Sequence, residues 1–313
     1  MSLVLAVALL AVVTALTCAL PGTFLVLRHQ SMLVEAMSHA VLPGIALGAL
    51  ISGTTRSPVM VVAASLMGLV VVLGAEQLRR SGLVGGDADQ GLVFPALFAV
   101  GVIMLSTSLS KVHISQNTVL TGDLNLLALT PGRLVVGRYD LGPSTMWSLL
   151  AVLALTAVYL IAFYPVLKVT TFDPITARTM GLPVQWVDLG LMLLVSLTVV
   201  VAFSTAGAIL VVALMVVPPA TALLVARSLP GMIALSLAVA AGSALLGFWV
   251  ALRLDLATSS MMAVVDGVVF LAVLILTQGG GRRRARNSLT GQVPQPPDGV
   301  VARRTPASRI SEG

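Results

Sequence analysis

Nine long, continuous apolar stretches divide this chain and restrict it to one class of fold. They lie near residues 3–27, 31–52, 57–78, 91–110, 146–167, 187–203, 208–226, 231–252 and 260–278. A helix needs roughly 20 mostly apolar residues to cross the hydrocarbon core of a bilayer. Transmembrane β-strands instead alternate apolar and polar residues over ~10-residue segments, and these stretches do not. The sequence therefore predicts an all-α polytopic membrane protein with eight or nine transmembrane helices.

The composition excludes an ordinary soluble protein, because only 10% of the 313 residues are charged and 58% are hydrophobic. A soluble domain carries about 25% charged residues. The net charge of +6 would suggest nucleic-acid binding in a soluble chain, but here much of the excess lies in a C-terminal tail after the last apolar stretch. We therefore expect no nucleic-acid partner. The basic residues of this tail are Arg282, Arg283, Arg284, Arg286, Arg303, Arg304 and Arg309.

The basic tail also predicts the orientation, since arginine and lysine accumulate on the cytoplasmic side of membrane proteins. We expect a transmembrane domain over residues 1–280 and a disordered cytoplasmic tail over 281–313, attracted to anionic membrane lipid. Nine spans place the N-terminus outside. Alternatively, the short connection at residues 204–207 is a break within a re-entrant helix, which gives eight spans and an N-terminus inside. The long segment 111–145 is expected to fold over the outer face with only turns and short helices.

Glu35 and His39 are the strongest candidates for chemistry. They lie four residues apart in the second apolar stretch, so a helix places them on one face. Ionisable side chains at membrane depth are costly and are functional candidates by default. Carboxylate and imidazole both bind divalent transition metals. Two ligands are too few for a zinc site, which needs about four, but a symmetric dimer would double them. Alternatively, the two side chains only hydrogen-bond each other near the helix start.

Five other ionisable side chains have simpler interpretations. His29 follows the first span and is expected to be solvated, and His113 on the outer segment is either solvated or captures a ligand. Asp188 is expected to be a charge at a helix end. Glu76 lies one turn before two arginines, which predicts a salt bridge. Asp266 lies midway along the last span, where it either pairs with an arginine or lines a cavity.

The chain lacks the motifs of an ATPase or a hydrolase. Its two lysines, Lys111 and Lys168, follow no glycine-rich phosphate-binding loop, and no H-E-x-x-H or nucleophile-elbow motif occurs. The single cysteine, Cys18, excludes an intrachain disulfide. We therefore predict no catalytic residue and no permanently bound cofactor. Any transport driven by ATP requires the ATPase to be a separate polypeptide.

Residues 172–181 predict a short helix between two spans, on the side assigned as cytoplasmic. Asp173 suits the N-cap, Pro174 suits the first turn and Gly181 suits the end of the helix. The simpler interpretation of this segment is a linker between spans.

Several motifs occur in a fixed order: GTFLVLR at 22–28, EAMSHAVLPGIALG at 35–48, DADQG at 87–91, LTGDL at 120–124, FDPITARTMG at 172–181, and GAIL followed by ALMVVPPATA over 207–222. Together they resemble the permease subunits of ABC importers for manganese, zinc and iron. The family usually has aspartate where this chain has Glu35. Its Asp-x-Pro-x-Gly motif before the last span appears here as Asp255-Leu-Ala-Thr-Ser259, without the proline and the glycine.

The resemblance implies a type II-like ABC importer permease in a bacterial plasma membrane. It implies a second permease protomer, two cytoplasmic ATP-binding subunits that hold the ATP, and an extracytoplasmic metal-binding protein that delivers manganese, zinc or iron. The family's metal ligands fall on Glu35 and His39. The family's coupling helix falls on 172–181, with Asp173, Ala177 and Gly181 transmitting the motion of the ATPase.

A second hypothesis belongs to another class of transporter. A carrier or channel driven by an ion gradient would use Glu35, His39 and Asp266 as a relay and would need no ATPase. That hypothesis leaves the predicted 172–181 helix without a function. Copurification of a nucleotide-binding subunit separates the two hypotheses.

Overall fold

The computed structural model describes residues 3–52, 58–80, 88–107, 133–136 and 139–290, and its elements are almost all helices. In chain order they are α1 (Leu3–Leu27), α2 (Ser31–Ser52), α3 (Pro58–Arg80), α4 (Ala88–Thr107), β1 (Arg133–Val136), β2 (Tyr139–Pro143), α5 (Ser144–Ala162), α6 (Tyr164–Phe172), α7 (Pro174–Thr179), α8 (Val184–Ala206), α9 (Ala208–Val225), α10 (Leu229–Leu254) and α11 (Thr258–Thr290).

The predicted polytopic helical membrane protein is confirmed. Within the described ranges, eight helices are long and apolar enough to cross a membrane, namely α1, α2, α3, α5, α8, α9, α10 and α11. The apolar stretch of α4 is shorter, Pro95–Met104. Each of the nine apolar stretches in the sequence therefore corresponds to a helix.

α1, α2 and α8 are the most buried of the candidate membrane spans. Within their membrane-spanning windows, 61% of α1, 65% of α2 and 72% of α8 are buried, against 11% of α11. The core cluster joins Leu10 and Phe24 of α1 to Leu191 and Val195 of α8 and Leu214 of α9. Helices that are hydrophobic on all sides are buried in this way. The first, second and sixth apolar stretches thus contribute most to the interior, and the last one is the least buried.

The join between α8 and α9 is a single residue, Gly207, whose φ of 82° suits a glycine. The start of α8 and the end of α9 both lie near the C-terminal end of α1. Asp188 near the start of α8 pairs with Arg28 just after α1, and Ala222 near the end of α9 packs against Val26. Residues 184–225 are therefore two antiparallel helices of span length rather than one span with a break.

The segment before α5 differs from expectation. We predicted only turns and short helices over 111–145, whereas β1 and β2 form an antiparallel pair in which Val135 faces Asp140 and Val136 faces Tyr139. β-branched and aromatic residues favour strands, and here they outweigh the turn signal of Gly142-Pro143, which ends β2. The turn signals at 121–123 and 131–132, and His113, lie outside the described residues.

The chain divides into two units, Met1–Leu274 and Ile275–Gly313, and the structure describes the second only as far as Thr290. α11 continues to Thr290, beyond the predicted domain boundary at residue 280. Residues 291–313 lie outside the described part of the chain, and the disordered tail stays a prediction.

Candidate metal site and coupling helix

α2 carries Glu35 and His39 on adjacent turns of one helix face, as the sequence predicted. Glu35 is exposed and His39 is half-buried. The imidazole ring of His39 packs edge-on against the ring of Phe98 in α4, with 5.6 Å between centroids and 82° between planes. The pair therefore lies at the surface of the single chain, where the Phe98 ring packs against His39 and the Glu35 side chain is exposed.

Close packing against α3 and α4 holds α2 in place. A Cβ at Gly48 would lie 2.7 Å from the Cα of Met60 in α3. A Cβ at Gly101 of α4 would lie 2.8 Å from the Cδ of Pro43, one turn after His39. Glycines at both positions allow backbones to approach closely, as is usual between transmembrane helices. α2 is therefore closely packed at Pro43 and Gly48, which restricts where His39 lies.

The described part of the chain brings no larger group of possible metal ligands to Glu35 and His39. Among the residues that the structure describes, no group of three or more histidine, cysteine, aspartate or glutamate side chains could hold a metal ion. Two ligands fall short of the roughly four that a zinc site requires. Glu35 and His39 of one chain would therefore not complete such a site by themselves.

The short helix α7 forms as its sequence predicted. The Oδ1 of Asp173 accepts a hydrogen bond from the backbone N–H of Thr176 at 2.9 Å, and its Oδ2 accepts one from the Thr176 hydroxyl at 2.6 Å. The hydrogen bond from the Thr176 hydroxyl and, to a smaller extent, the one from the Thr176 backbone N–H hold the pKa of Asp173 below its usual value. Within α7, Ala177 is fully buried. Gly181, beyond the end of the helix, has a φ of 72°.

Exposed apolar side chains surround α7. Phe172 and Ile175 lie at its start, and Met180 and Trp186 follow its end. None of these residues belongs to the nearby candidate membrane spans except Trp186, in the first turn of α8. Exposed patches of large apolar side chains mark protein–protein or membrane interaction sites. We call these four residues the α7 patch.

The sequence analysis missed an ion pair beside α7. The Nη1 of Arg28 donates to the Oδ1 of Asp188 at 2.7 Å. The same guanidinium donates from Nη2 to the hydroxyl of Thr170 at 3.0 Å and from Nε to the hydroxyl of Thr171 at 3.1 Å. Asp188 is thus more than the helix-end charge that we expected. The spacing of residues along the chain does not predict this contact, since its partners lie more than 140 residues from Arg28.

The remaining candidates lie apart from the metal pair. His29 is exposed in the turn between α1 and α2, as expected for a solvated residue. Glu76 is half-buried on α3, and the arginine side chains predicted to pair with it lie outside the described part. Asp266 is 1% exposed, and within the described chain neither of its carboxylate oxygens has a hydrogen-bond partner. The predicted pairing of Asp266 with an arginine is therefore not observed among the described residues.

Comparison with known proteins identifies the family. Residues 1–277 match the model of the ABC 3 transport family. The chain belongs to the ABC 3 transport family. The resemblance seen in the ordered motifs is thereby confirmed.

Two relatives and one solved structure illustrate the similarity. The zinc transport system membrane protein TroD of Treponema pallidum is 39% identical over 275 residues, which cover 88% of this chain and 74% of TroD. The manganese transport system membrane protein MntD of Bacillus subtilis is 37% identical over 271 residues, or 86% and 90% of the two chains. The structure of PsaBC from Streptococcus pneumoniae in complex with Fab superposes with a TM-score of 0.70 at 27% identity, covering 87% of this chain and 91% of that one.

Proposed function

We propose that this chain is the membrane permease of an ATP-driven importer for divalent transition-metal ions, manganese or zinc, or iron, in a bacterial plasma membrane. The observation that carries the proposal is the similarity to zinc and manganese transport permeases over most of the chain, together with a carboxylate and an imidazole on one face of α2. Glu35 and His39 are the proposed metal ligands, because their oxygen and nitrogen donors suit these ions.

The exposure of Glu35 supports a second permease protomer. The residue lies inside the candidate span Ser31–Gly48, where a carboxylate that faces lipid is costly. A second copy related by a two-fold axis presents the same face to the first. Two Glu35 and two His39 side chains then give four ligands, which is enough for a zinc site. Either a homodimer or a heterodimer with a similar permease fits this argument.

The α7 patch supports docking of a cytoplasmic ATP-binding subunit. The chain has no Walker motif of its own, so we assign ATP binding and hydrolysis to that partner. Asp173 caps α7, Ala177 anchors it in the protein and Gly181 ends it. These three residues therefore give α7 a fixed shape against which the ATPase pushes. The side of the membrane that carries α7 is then the cytoplasmic side, where we also place the basic tail.

Delivery of the ion requires a protein on the opposite side. An extracytoplasmic metal-binding protein would present the ion to the outer ends of the spans. Rearrangement of the permease pair during the ATP cycle then passes it to the Glu35–His39 face and inward. The metal is a transported substrate in this scheme.

Transport in proteoliposomes tests the proposal. The complete importer, with its ATPase and its binding protein, is reconstituted with ATP on the ATPase side, and uptake of radioactive manganese or zinc is measured. We expect His39→Ala and Glu35→Gln to abolish uptake, while Glu76→Gln, a matched carboxylate change in α3, retains it. Uptake by His39→Ala at the wild-type rate would overturn the site. Uptake that follows an ion gradient without ATP would favour a secondary carrier instead.

A further inference from the structure

The guanidinium of Arg28 joins the two chain segments that flank α7. Thr170 and Thr171 lie in the last turns of α6, before α7, and Asp188 lies in the second turn of α8, after it. All three accept hydrogen bonds from Arg28 within 3.1 Å. The Arg28 side chain is 10% exposed. A planar guanidinium offers donors in a fixed fork, so it holds its acceptors in a defined geometry.

These contacts close a loop around α7. The chain from Thr171 through α7 to Asp188 begins and ends on the same side chain. The hydroxyl of Tyr159 in α5 adds a further tie, since it donates to the backbone carbonyl of Val187 at 2.7 Å. A partner that pushes α7 therefore displaces α7 together with the ends of α6 and α8, and with them the end of α1.

A tight turn connects Arg28 to the metal-site helix. The backbone N–H of His29 donates to the carbonyl of Val26 at 3.1 Å, and that of Gln30 donates to Leu25 at 2.9 Å. His29 has a φ of 56°, a left-handed conformation that histidine adopts more readily than most residues. α2 begins at Ser31, directly after this turn. The hydrogen-bonded turn leaves little slack between the Arg28 anchor and α2.

We propose that Arg28 is a positioning residue that transmits displacement of α7 to the Glu35–His39 face of α2. This inference rests on the proposed function, in which α7 meets the ATPase and α2 carries the metal ligands. The contribution of Arg28 is geometric rather than energetic. Its ion pair with Asp188, whose side chain is 39% exposed, belongs to a class that adds little stability, but its three-way contact fixes where α7 and α2 sit relative to each other.

The test measures metal ions transported per ATP hydrolysed by the complete reconstituted importer. We expect Arg28→Gln to lower this ratio by about 2- to 30-fold, the range for residues that carry coupling between sites, while ATP hydrolysis continues. Arg28→Lys keeps the charge but cannot reach three acceptors, so its ratio falls as well. Arg253→Gln serves as the control, because Arg253 also lies at a helix end but contacts the Trp249 ring at 5.8 Å. Its ratio should equal that of the wild type.

Further variants separate coupling from folding. Asp188→Ala removes the acceptor of the Arg28 hydrogen bond at a side chain that is 39% exposed, so it should fold even if Arg28→Gln does not, and it should lower the same ratio. Asp188→Asn keeps an acceptor oxygen and should retain the ratio. A parallel fall of hydrolysis and uptake at constant ratio would overturn the proposal, because it indicates a purely structural role. An unchanged ratio in Arg28→Gln, with uptake still abolished by His39→Ala, would refute the Arg28 linkage and leave the proposed function standing. Undiminished uptake in His39→Ala would instead refute the proposed function.

Discussion

Replacement of Gly101 by alanine should destabilise the permease, although alanine is the better helix former. A Cβ at this position would lie 2.8 Å from the Cδ, 2.9 Å from the Cβ and 2.9 Å from the backbone N of Pro43. Ordinary contacts begin at 3.4 Å, so α4 must move away from α2 by about half an ångström or more at a rigid proline ring. Overpacking of this kind costs about 1–3 kcal/mol.

A matched variant removes the helix-propensity effect from the comparison. Gly242 lies in the interior of α10, and no atom of a described residue outside its own helix backbone and chain neighbours lies within 4 Å of a Cβ built there. Both replacements gain the same propensity, about 1 kcal/mol at most. The difference in stability between Gly101→Ala and Gly242→Ala therefore reports overpacking alone, and we expect about 1–3 kcal/mol.

The chain provides its own probe for this measurement. Cys18 is its only cysteine and is fully buried, so a thiol-reactive fluorescent dye labels it only when the protein opens. The labelling midpoint on heating should rank Gly242→Ala highest and Gly101→Ala lowest, with the wild type between them. Equal midpoints for the two variants would refute the close α2–α4 contact. Because that contact also places Phe98 against His39, Gly101→Ala should weaken metal uptake as well.

Two further predictions concern single carboxylates. Asp173→Ala removes the acceptor that caps α7 and should lower ATP-driven uptake and ATPase copurification, whereas Asp173→Asn keeps an acceptor and should retain both. Because hydrogen bonds hold the pKa of Asp173 below its usual 3.8, its stabilising contribution is complete above pH 3.8 and disappears as the pH falls through the lower folded-state pKa. The wild type and Asp173→Asn should therefore differ in pH dependence only in strong acid, as followed by retention of the ATPase on the immobilised permease. Asp266→Leu should raise the temperature at which the detergent-solubilised protein aggregates, because a buried polar group without a partner costs about 1–3 kcal/mol; a lower temperature would show that the carboxylate has a binding partner.

Local signals in the sequence were sufficient for the helices and for α7. Each apolar stretch became a helix because a backbone in lipid must satisfy its own hydrogen bonds. The capping of α7 was equally predictable, since Asp173, Pro174 and Thr176 act within one turn. The same reasoning failed for β1 and β2, where turn residues outnumber the few strand formers and only the pairing of the two segments decides the structure.

Contacts between distant segments could not be predicted in this way. Arg28 and Asp188 are 160 residues apart, and each alone is an ordinary charge at a helix end. Their pairing depends on α8 starting at the same end of the protein as α1 finishes. Likewise, the spacing of Glu35 and His39 predicted a shared face, but not that Phe98 would support His39 or that Glu35 would be exposed. Packing between helices decides both.

The contacts of α8 indicate how α2 would move under the proposed mechanism. α8 is tied to the end of α1 by Asp188 and to α3 by Ser196, whose hydroxyl donates to the carbonyl of Ser65 at 2.8 Å. α3 and α4 in turn pack closely on α2 through its glycines and Pro43. Displacement of α7 therefore reaches α2 by two routes, one through Arg28 and one through α3. Packed helices shift as rigid bodies rather than deform. The Glu35–His39 face therefore moves together with α2, α3 and α4. The metal site then opens by separation from the second protomer rather than by rotation of the Glu35 or His39 side chains.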